Sequence, residues 1–463
     1  MDDSLTSSGF VLIAVLIVIM LASMVAISLL FRVRAEDTAS AAGSGAEQAT
    51  AAAMSGAQEA MRIAADVLAG STEWRNNPGL FKDRLFHDDG IDKWYFTVFS
   101  PAEGEERGTV RFGLTDEASR LNINEAGEAM MARLPGLTPS QAQALWDFRD
   151  ADSTARPEGA EQEYYDTLPT PYMVRNGPLA SLDELLLVRG FSRSLVYGED
   201  ANQNFVLDPN EDDGPTLFPP DNGDGRLDSG LRGLLTVYSY DRNVDNDGVP
   251  RGNMNDPTAR LYTNDLPEAV LQYISALRSN KVELMDVSEL LEARATFKDA
   301  KGKEVELQSG VGKEELPLIL DRFTTTRDEK LPGLININTA SAAVLQTLPG
   351  LPEGVAEAIV VSRRGLTPDK LRTPAWLYQE GLASAAVFKI IAPFISTRSW
   401  QFTFQVIGYG LPSGRYRVWE MAIDVAGRAP TVTYMRDITR RGLPYRITAG
   451  DTGTAPSGMR KDV

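Results

Sequence analysis

The residues best suited to chemistry in this sequence are oxygen-bearing side chains at alternate positions of one acidic segment. Counted from Asp200, they fill positions 1, 3, 5, 9 and 12, with a backbone carbonyl at position 7, which is the ligand spacing of an EF-hand-type calcium loop. The predicted calcium ligands are Asp200, Asn202, Asn204, Val206 through its carbonyl, Asp208 and Glu211. Position 6 is Phe205 where glycine is expected, so we expect the sharp turn to be made differently. The two asparagines lower the charge of the loop, which indicates a weak affinity suited to a calcium-rich exterior.

Two further fragments of the acidic segment contain parts of the same pattern, but neither supplies a glutamate at the twelfth position. The partial ligand sets are Asn222, Asp224 and Asp228, and Asp241, Asn243, Asp245 and Asp247. Residues 198–256 hold thirteen acidic residues against four arginines, a concentration that repels itself unless it is solvated or bound to cations. Hard oxygen ligands favour calcium over transition metals. The alternative to calcium binding is that these segments are solvated polar loops.

The overall composition removes most common enzyme chemistries. The 463 residues include no cysteine and one histidine, His87, which excludes disulfides, cysteine-ligated zinc and cysteine nucleophiles and leaves too little for a zinc site of several histidines. The net charge of −18 repels phosphate backbones. An anchored hydrolase that uses Asp147, Asp150 and Glu161 is one hypothesis, but no paired acid and base spacing supports it. The composition favours a scaffold or binding protein.

The N-terminal sequence predicts a membrane-spanning helix. Residues 10–31 are apolar apart from two serines, and at about 1.5 Å per residue they span roughly 33 Å, the thickness of a hydrocarbon core. Residues 1–9 form an acidic leader, unlike the basic start of a secretory signal peptide. Alanine-rich sequence continues the helix to Leu68. Arg32 and Arg34 follow the span, so the positive-inside rule alone would place the rest of the chain in the cytoplasm, and the sequence leaves this conflict open.

Period-two alternation of apolar residues predicts one antiparallel sheet built from two distant parts of the chain. The predicted strands are 93–100, 109–114, 402–406, 419–425 and 431–435. The amphipathic half of the N-terminal helix would pack on this sheet, which gives an α+β fold class. The predicted domains are an α+β domain of residues 32–118 and 398–447, a large inserted and mainly helical domain of residues 119–397, and a disordered tail of residues 448–463.

The inserted domain contains a repeat at a constant offset of 214 residues. Asn122-Ile-Asn124, Leu134-Pro135-Gly136-Leu137 and Arg149 recur as Asn336-Ile-Asn338, Leu348-Pro349-Gly350-Leu351 and Arg363. Each copy predicts two helices joined by a Pro-Gly turn, with Asn124 and Asn338 as helix N-caps. The pattern resembles the helix-hairpin-helix motif.

A polar leader that ends in Gly9, followed by Phe10 at the start of a hydrophobic helix that becomes amphipathic, resembles the type IV pilins and the pseudopilins of type II secretion. Two helix-hairpin-helix copies within a pilin-like sheet narrow the resemblance to the minor pseudopilin K family. Matching phrases are Asp147-Phe-Arg-Asp150-Ala-Asp152, Gly159-Ala-Glu161 and Ser181-Leu-Asp183-Glu184.

This resemblance implies that a prepilin peptidase cuts between Gly9 and Phe10 and that Phe10 becomes N-methylated. Pilin-like subunits usually carry glutamate at the fifth mature position, which here is Ala14, and the missing acid implies a subunit at the fibre tip with no neighbour above it. The resemblance also implies structural calcium in the inserted domain and no catalytic role. The implied partners are other minor pseudopilins through the N-terminal helix, exported proteins or the outer-membrane secretin, and the inner membrane, with most of the chain in the periplasm.

Helix-hairpin-helix units often bind DNA, which gives an alternative function: a membrane-tethered DNA-binding minor pilin of a competence or type IV pilus system. That use normally needs a second glycine in the turn and nearby basic residues, whereas these turns read LPGLT and LPGLP. We therefore predict that both hairpins are structural or protein-binding and expect no nucleic acid partner. Arg363 and Arg364 keep DNA binding open for the second copy.

Overall fold

The computed structural model describes residues 4–66, 72–102, 110–259, 266–298 and 302–443, and for residues 4–10, 41 and 42 it describes the backbone alone. The first three residues of the predicted leader and the predicted tail, 448–463, lie outside the described residues. The chain begins with helix α1, Ser4–Ala65, which is 62 residues long.

Helix α1 has an exposed apolar half and a packed half. Every described side chain from Val11 to Val33 is exposed, and α1 is the one helix in the described residues that is long and apolar enough to cross a membrane. The packed half presents small side chains to the sheet, which let the helix backbone approach closely. The buried alanines are Ala49, Ala52, Ala53, Ala57, Ala60 and Ala64.

A short helix and four strands follow α1. They are α2 Pro78–Phe81, β1 Arg84–Asp88, β2 Lys93–Pro101, β3 Val110–Arg111 and β4 Thr115–Asp116. The predicted strand 109–114 is shorter in the structure, where β3 covers Val110–Arg111, because the chain bends at Gly113, where an added Cβ would lie 2.3 Å from the carbonyl oxygen of Arg75. The sequence does not predict β1, because all five of its residues are exposed and no alternation marks it.

The inserted part consists of short elements around one core. Its helices are α3 Glu128–Met131, α4 Pro139–Arg149, α5 Gln162–Asp166, α6 Arg193–Tyr197, α7 Glu268–Ser279, α8 Leu316–Arg322, α9 Ala342–Leu345, α10 Val355–Ser362, α11 Trp376–Gln379 and α12 Ala385–Ile391. Its strands are β5 Leu121–Asn122, β6 Leu235–Thr236, β7 Tyr240–Arg242, β8 Gly252–Asn253, β9 Arg294–Lys298, β10 Glu304–Gln308, β11 Phe323–Thr324, β12 Lys330–Pro332, β13 Ile335–Asn336 and β14 Ile395–Ser396. These strands pair two by two, and a cluster of buried apolar residues extends from Leu121 to Ile395.

Three long strands complete the sheet at the C-terminal side: β15 Gln401–Leu411, β16 Tyr416–Asp424 and β17 Thr431–Asp437. The order is β1-β2-β15-β16-β17 and is antiparallel throughout, with β3 beside β2 and β4 beside β15. Helix α1 packs closely against Gly408 of β15, where an added Cβ would lie 1.9 Å from the carbonyl oxygen of Ala49. The predicted α+β class, a long N-terminal helix on an antiparallel sheet, is confirmed.

The inserted part is joined to the sheet by hydrogen bonds as well as by the chain. Asp116 at the end of β4 is buried, and its Oδ2 accepts from the amide of Asn336 at 3.0 Å and from the hydroxyl of Thr339 at 2.5 Å. Burial raises the pKa of Asp116 to about 6, although these hydrogen bonds favour the ionised form. The second hairpin is thereby held directly against the sheet.

Candidate functional site in the acidic loops and the hairpins

The first acidic loop brings three of its predicted ligands into direct contact. The side-chain amides of Asn202 and Asn204 donate to Asp208 Oδ2 at 2.7 and 3.0 Å. Asp200 Oδ1 accepts the backbone N–H of Asn204 at 2.9 Å, and Glu211 Oε1 accepts a backbone N–H at the start of the loop at 3.1 Å. To hold a cation, the two amide groups would turn their oxygen atoms toward it in place of their N–H donors.

Phe205 makes the turn of this loop. Its φ is 58°, in the left-handed region, where a glycine at this position would also lie. The expectation that the turn is made differently is therefore wrong. A bulky residue in this region costs about 1–3 kcal/mol, and burial of its ring, which is 5% exposed and lies 5.7 Å from the guanidinium of Arg232, offsets that cost. The turn places the N–H of Val206 2.7 Å from Asn204 Oδ1.

Two carboxyl groups of the loop are buried, Asp200 and Glu211, which are 2% and 1% exposed. Burial raises the pKa of Asp200 above its usual value. Burial also raises the pKa of Glu211 to about 7, and the negative charges of Asp200 and Asp208 add to this effect. A bound cation would favour the ionised forms instead. Because the donor set is made of oxygen atoms alone, the loop fits calcium.

The second fragment forms a series of polar turns. Asn222, Asp224 and Asp228 each accept the backbone N–H two residues further on, at 2.8 to 2.9 Å. Glu199, which the sequence analysis does not single out, accepts the N–H of Asn222 at 3.2 Å and that of Asp228 at 3.1 Å. Glu199 is buried, and burial raises its pKa. It connects this fragment to the first loop, which begins one residue after it.

The structure contradicts a cation ligand at Asp241 in the third fragment. Arg398 Nη2 donates to Asp241 Oδ2 at 3.1 Å, and Trp400 Nε1 donates to Oδ1 at 2.7 Å. Burial opposes ionisation, but the charges of Arg398 and Arg251 together with the hydrogen bonds from Ser396 and Trp400 outweigh it and lower the pKa of Asp241. The negative charge of Asp241 is therefore already balanced inside the protein. Sequence spacing could not reveal this, because Arg398 lies far along the chain.

The rest of the third fragment holds a backbone turn. Asp245 Oδ1 accepts the N–H of Asp247 at 3.0 Å and that of Val249 at 2.8 Å. The amide of Asn243 donates to the carbonyl of Asp328 at 2.9 Å. Asp247 is exposed, whereas Asn243 and Asp245 are buried. These contacts are those of a structural turn.

One arginine at the end of the second helix anchors each hairpin. Arg149 is the last residue of α4, and Arg363, 214 residues later, directly follows α10. The carbonyl acceptors are those of Ile123 and Ala126 in the first copy and those of Ile337 and Ala340, at 2.8 and 2.7 Å, in the second. Each guanidinium thus joins the end of its hairpin to the segment that enters it.

Asn124 and Asn338 are not helix N-caps. The caps of α3 and α9 lie three residues later, at a glycine and a serine. Asn124 instead forms two hydrogen bonds with the backbone of Leu179, at 3.0 and 2.8 Å, and the amide of Asn338 donates to the carbonyl of Leu371 at 2.8 Å. Both asparagines therefore connect a hairpin to the segment that follows it.

The Pro-Gly turns pack against later helices. Gly136, after Pro135, and Gly350, after Pro349, have φ of 74° and 71°. A Cβ at Gly136 would lie 3.6 Å from Leu195 in α6, and one at Gly350 would lie 3.1 Å from Ile390 in α12. The same packing therefore recurs in both copies.

The two hairpins also contact each other. Arg133 after α3 donates to the carbonyl of Leu348 in the second copy at 2.8 Å. Together with Arg149 and Arg363, it is a hairpin arginine that binds the protein's own carbonyls. This geometry suits packing better than the recognition of phosphate groups.

Two of the carboxylates considered for hydrolysis, Asp147 and Asp150, are bonded to an arginine. Asp147 is fully buried, and its Oδ1 accepts from Arg156 Nη1 at 2.8 Å. Asp150 Oδ2 accepts from the same nitrogen at 3.0 Å. Arg156 therefore already engages both carboxylates.

The residues predicted for processing lie in α1. The backbone of Gly9 and Phe10 is helical, and their side chains lie outside the described residues. Ala14 is in the exposed apolar half, where residues 11–31 carry no charged side chain.

Together, the long N-terminal helix, the antiparallel sheet and the duplicated hairpins between its strands define a pilin-like α+β protein. Residues 119–197 match the family model of type II secretion system (T2SS) protein K, and residues 333–368 match the helix-hairpin-helix motif. The predicted resemblance to type II secretion protein K is thereby confirmed.

Among solved structures, the chain is similar to one in the GspK-GspI-GspJ complex from the enterotoxigenic Escherichia coli Type 2 Secretion System. The TM-score is 0.41 and the sequence identity 13%, over 88% of this chain and 99% of that chain. No curated protein matches the sequence.

Proposed function

We propose that this protein is a minor pseudopilin that caps the tip of the pseudopilus in a type II secretion system. The observation that carries the proposal is helix α1, whose half from Val11 to Phe31 is apolar and exposed while its alanine-rich half packs on the sheet. An exposed apolar helix of this length needs lipid or other apolar helices around it. The inner membrane stores the subunit, and the helix then joins a bundle of partner helices.

Two features support a position at the tip. The chain between β4 and β15 adds a body with its own core, which would obstruct packing along the shaft of a fibre. Ala14 provides no carboxylate for the N-terminus of a subunit above it. At the tip, the inserted part meets exported proteins or the outer-membrane secretin in the periplasm. The role is structural and not catalytic: the subunit nucleates the assembly of the fibre and caps its tip.

Other minor pseudopilins are the proposed partners, bound through α1, and a prepilin peptidase is the processing enzyme. We propose no nucleic acid partner. The hairpin residues Arg133, Arg149 and Arg363 donate to backbone carbonyls, so they do not form the outward basic surface that DNA binding requires.

Processing of the N-terminus tests the proposal. When the protein is produced together with a prepilin peptidase, we expect intact mass spectrometry to show loss of residues 1–9 and one methyl group on Phe10. Gly9→Leu should retain the leader, and the secreted yield should fall to background, because an unprocessed helix cannot leave the membrane. Gly43→Ala, on the same helix and open to solvent, is the matched control and should be processed normally. A wild-type protein that still begins at Met1 would contradict the proposal.

We also propose that the loop from Asp200 to Glu211 holds a structural calcium ion. The buried carboxyl groups at its two ends and the left-handed turn at Phe205 support this assignment. Bound calcium would compensate the buried negative charge and hold the loop together.

A further inference from the structure

A cavity of about 330 Å³ lies between the inserted part and the face of the sheet opposite α1. Phe404 and Val406 of β15 pack against α1, so the side chain of Gln405 between them points to this other face. On the side of the inserted part, Arg232 Nη2 donates to Glu420 Oε1 of β16 at 2.7 Å. Arg232, Gln405 and Glu420 all line the cavity, which is therefore enclosed by both parts of the protein.

Two buried donors beside this cavity have no hydrogen-bond partner among the described residues. They are Nε2 of Gln405, a residue that is 3% exposed, and Nη1 of Arg441. Arg441 follows β17 and lies close enough to Glu420, Arg232 and Arg436 to interact with their charges. Buried donors are normally paired, so these two need acceptor oxygens from a group outside the described part of the chain.

The described part of the chain ends beside the same face of the sheet. Leu443, its last residue, packs against the cluster that contains Phe99, and Phe99 is the residue of β2 directly opposite Gln405. Residues 444–463 lie outside the described residues. The first four of them belong to the predicted α+β domain and not to the predicted tail. The chain therefore leaves the described part next to these two donors.

We propose that residues 444–447, which read Pro-Tyr-Arg-Ile, bind in this cavity and join the inserted part to the sheet. Their backbone carbonyls are the acceptors that Gln405 and Arg441 require. The cavity is lined by five acidic side chains against three arginines, whereas Arg446 gives the segment a positive charge. The volume is in the range of small-ligand sites, which suits a short segment better than the whole tail.

Occupation of the cavity would fix how the inserted part is oriented on the sheet. Asp116 already bonds the second hairpin to the sheet through Asn336 and Thr339. The segment would add a second attachment, beside the first acidic loop, whose residues Gln203 and Phe205 also line the cavity. The proposal concerns contacts within one chain, so it depends neither on the role in secretion nor on calcium.

Thermal unfolding in detergent of two shortened chains, both of which keep α1, tests the proposal. The chain that ends at Ile447 retains the segment and should unfold at the same temperature as the full-length protein. The chain that ends at Leu443 should unfold at a temperature lower by at least about 3 °C, because two buried donors lose their acceptors. The first chain is the matched control for loss of the tail. Equal unfolding temperatures for the two shortened chains would overturn the proposal.

Gln405→Met, made in each shortened chain, measures the contact with the segment directly. In the chain that ends at Ile447 it should lower the unfolding temperature, because a carbonyl of the segment loses its donor. In the chain that ends at Leu443 it should leave that temperature unchanged or raise it, because it removes a buried donor that has no acceptor. The same decrease in both chains would contradict a contact between Gln405 and the segment.

Thiol labelling of the full-length protein gives a readout that does not require a shortened chain to fold. The sequence contains no cysteine, so a single introduced thiol is the one reactive site. In the native protein, Tyr445→Cys should react with a water-soluble thiol reagent at least about tenfold more slowly than Thr454→Cys in the predicted tail, and denaturant should remove the difference. Equal rates in the native protein would overturn the proposal and leave the cavity to another ligand.

Discussion

Gly408→Val is expected to destabilise the protein by about 3 kcal/mol or more, because it forces α1 away from the sheet. A Cβ at Gly408 would lie 1.9 Å from the carbonyl oxygen of Ala49 and 2.6 Å from the backbone nitrogen of Ala53. Both atoms belong to helix backbone, so no side chain can rotate out of the way. The alternative, a displaced helix, would open the buried alanine contacts along α1.

Denaturant titration of the full-length protein in detergent measures this change, and secreted yield in cells measures its consequence. Gly43→Ala is the matched control, since it changes a glycine of α1 that meets nothing within 4 Å, and it should stabilise the helix by up to about 1 kcal/mol. If Gly408→Val unfolds at the same denaturant concentration as the wild type, the close contact between α1 and β15 is not present in solution.

Removal of calcium at alkaline pH is expected to lower the free energy of unfolding by about 2.7 kcal/mol. This value applies when the free calcium concentration before removal is about one hundred times the dissociation constant of the loop. In calcium-free protein, the pKa of Glu211 is raised to about 7. This group therefore stabilises the calcium-free fold below its unfolded pKa, and the stabilisation is lost as the pH rises through about 7. Calcium binds the ionised carboxylate, so its own contribution rises over the same pH window.

Thermal unfolding with calcium or with a chelator, at pH of about 8 and of about 5.5, measures this dependence. The shift caused by the chelator should be large at the higher pH and small at the lower one. Glu211→Gln should reduce the shift at the higher pH, whereas Asp247→Asn, an exposed residue of the third fragment, should leave it unchanged. If the chelator shifts the unfolding temperature equally in the wild type and in Glu211→Gln, this loop does not bind calcium.

Elements with a buried face could be predicted from the sequence. Residues 402–406 alternate because one side of β15 packs against α1, and the repeated phrases predict two hairpins because both copies keep the same turns. β1 has no buried face and pairs through its backbone alone, so it leaves no pattern in the sequence. Gly113 ends a strand through contact with distant backbone, which local alternation cannot reveal.

Partners distant along the chain decide the roles that the sequence leaves unresolved. The sequence predicts a cation ligand at Asp241, but the structure shows this carboxylate paired with Arg398. It also predicts a helix cap at Asn124, whose side chain instead bonds the backbone of Leu179. The types of these residues indicate what they can bind, but the fold determines which of them remain unpaired.

Electron microscopy of assembled pseudopili that carry an affinity label on this subunit tests the central claim most directly. A subunit with an exposed apolar stalk, a bulky inserted part and Ala14 in place of an acid should be found once per filament, at one end. Label spaced along the shaft would contradict the proposed tip position, because it would show that the inserted part does fit beside neighbouring subunits.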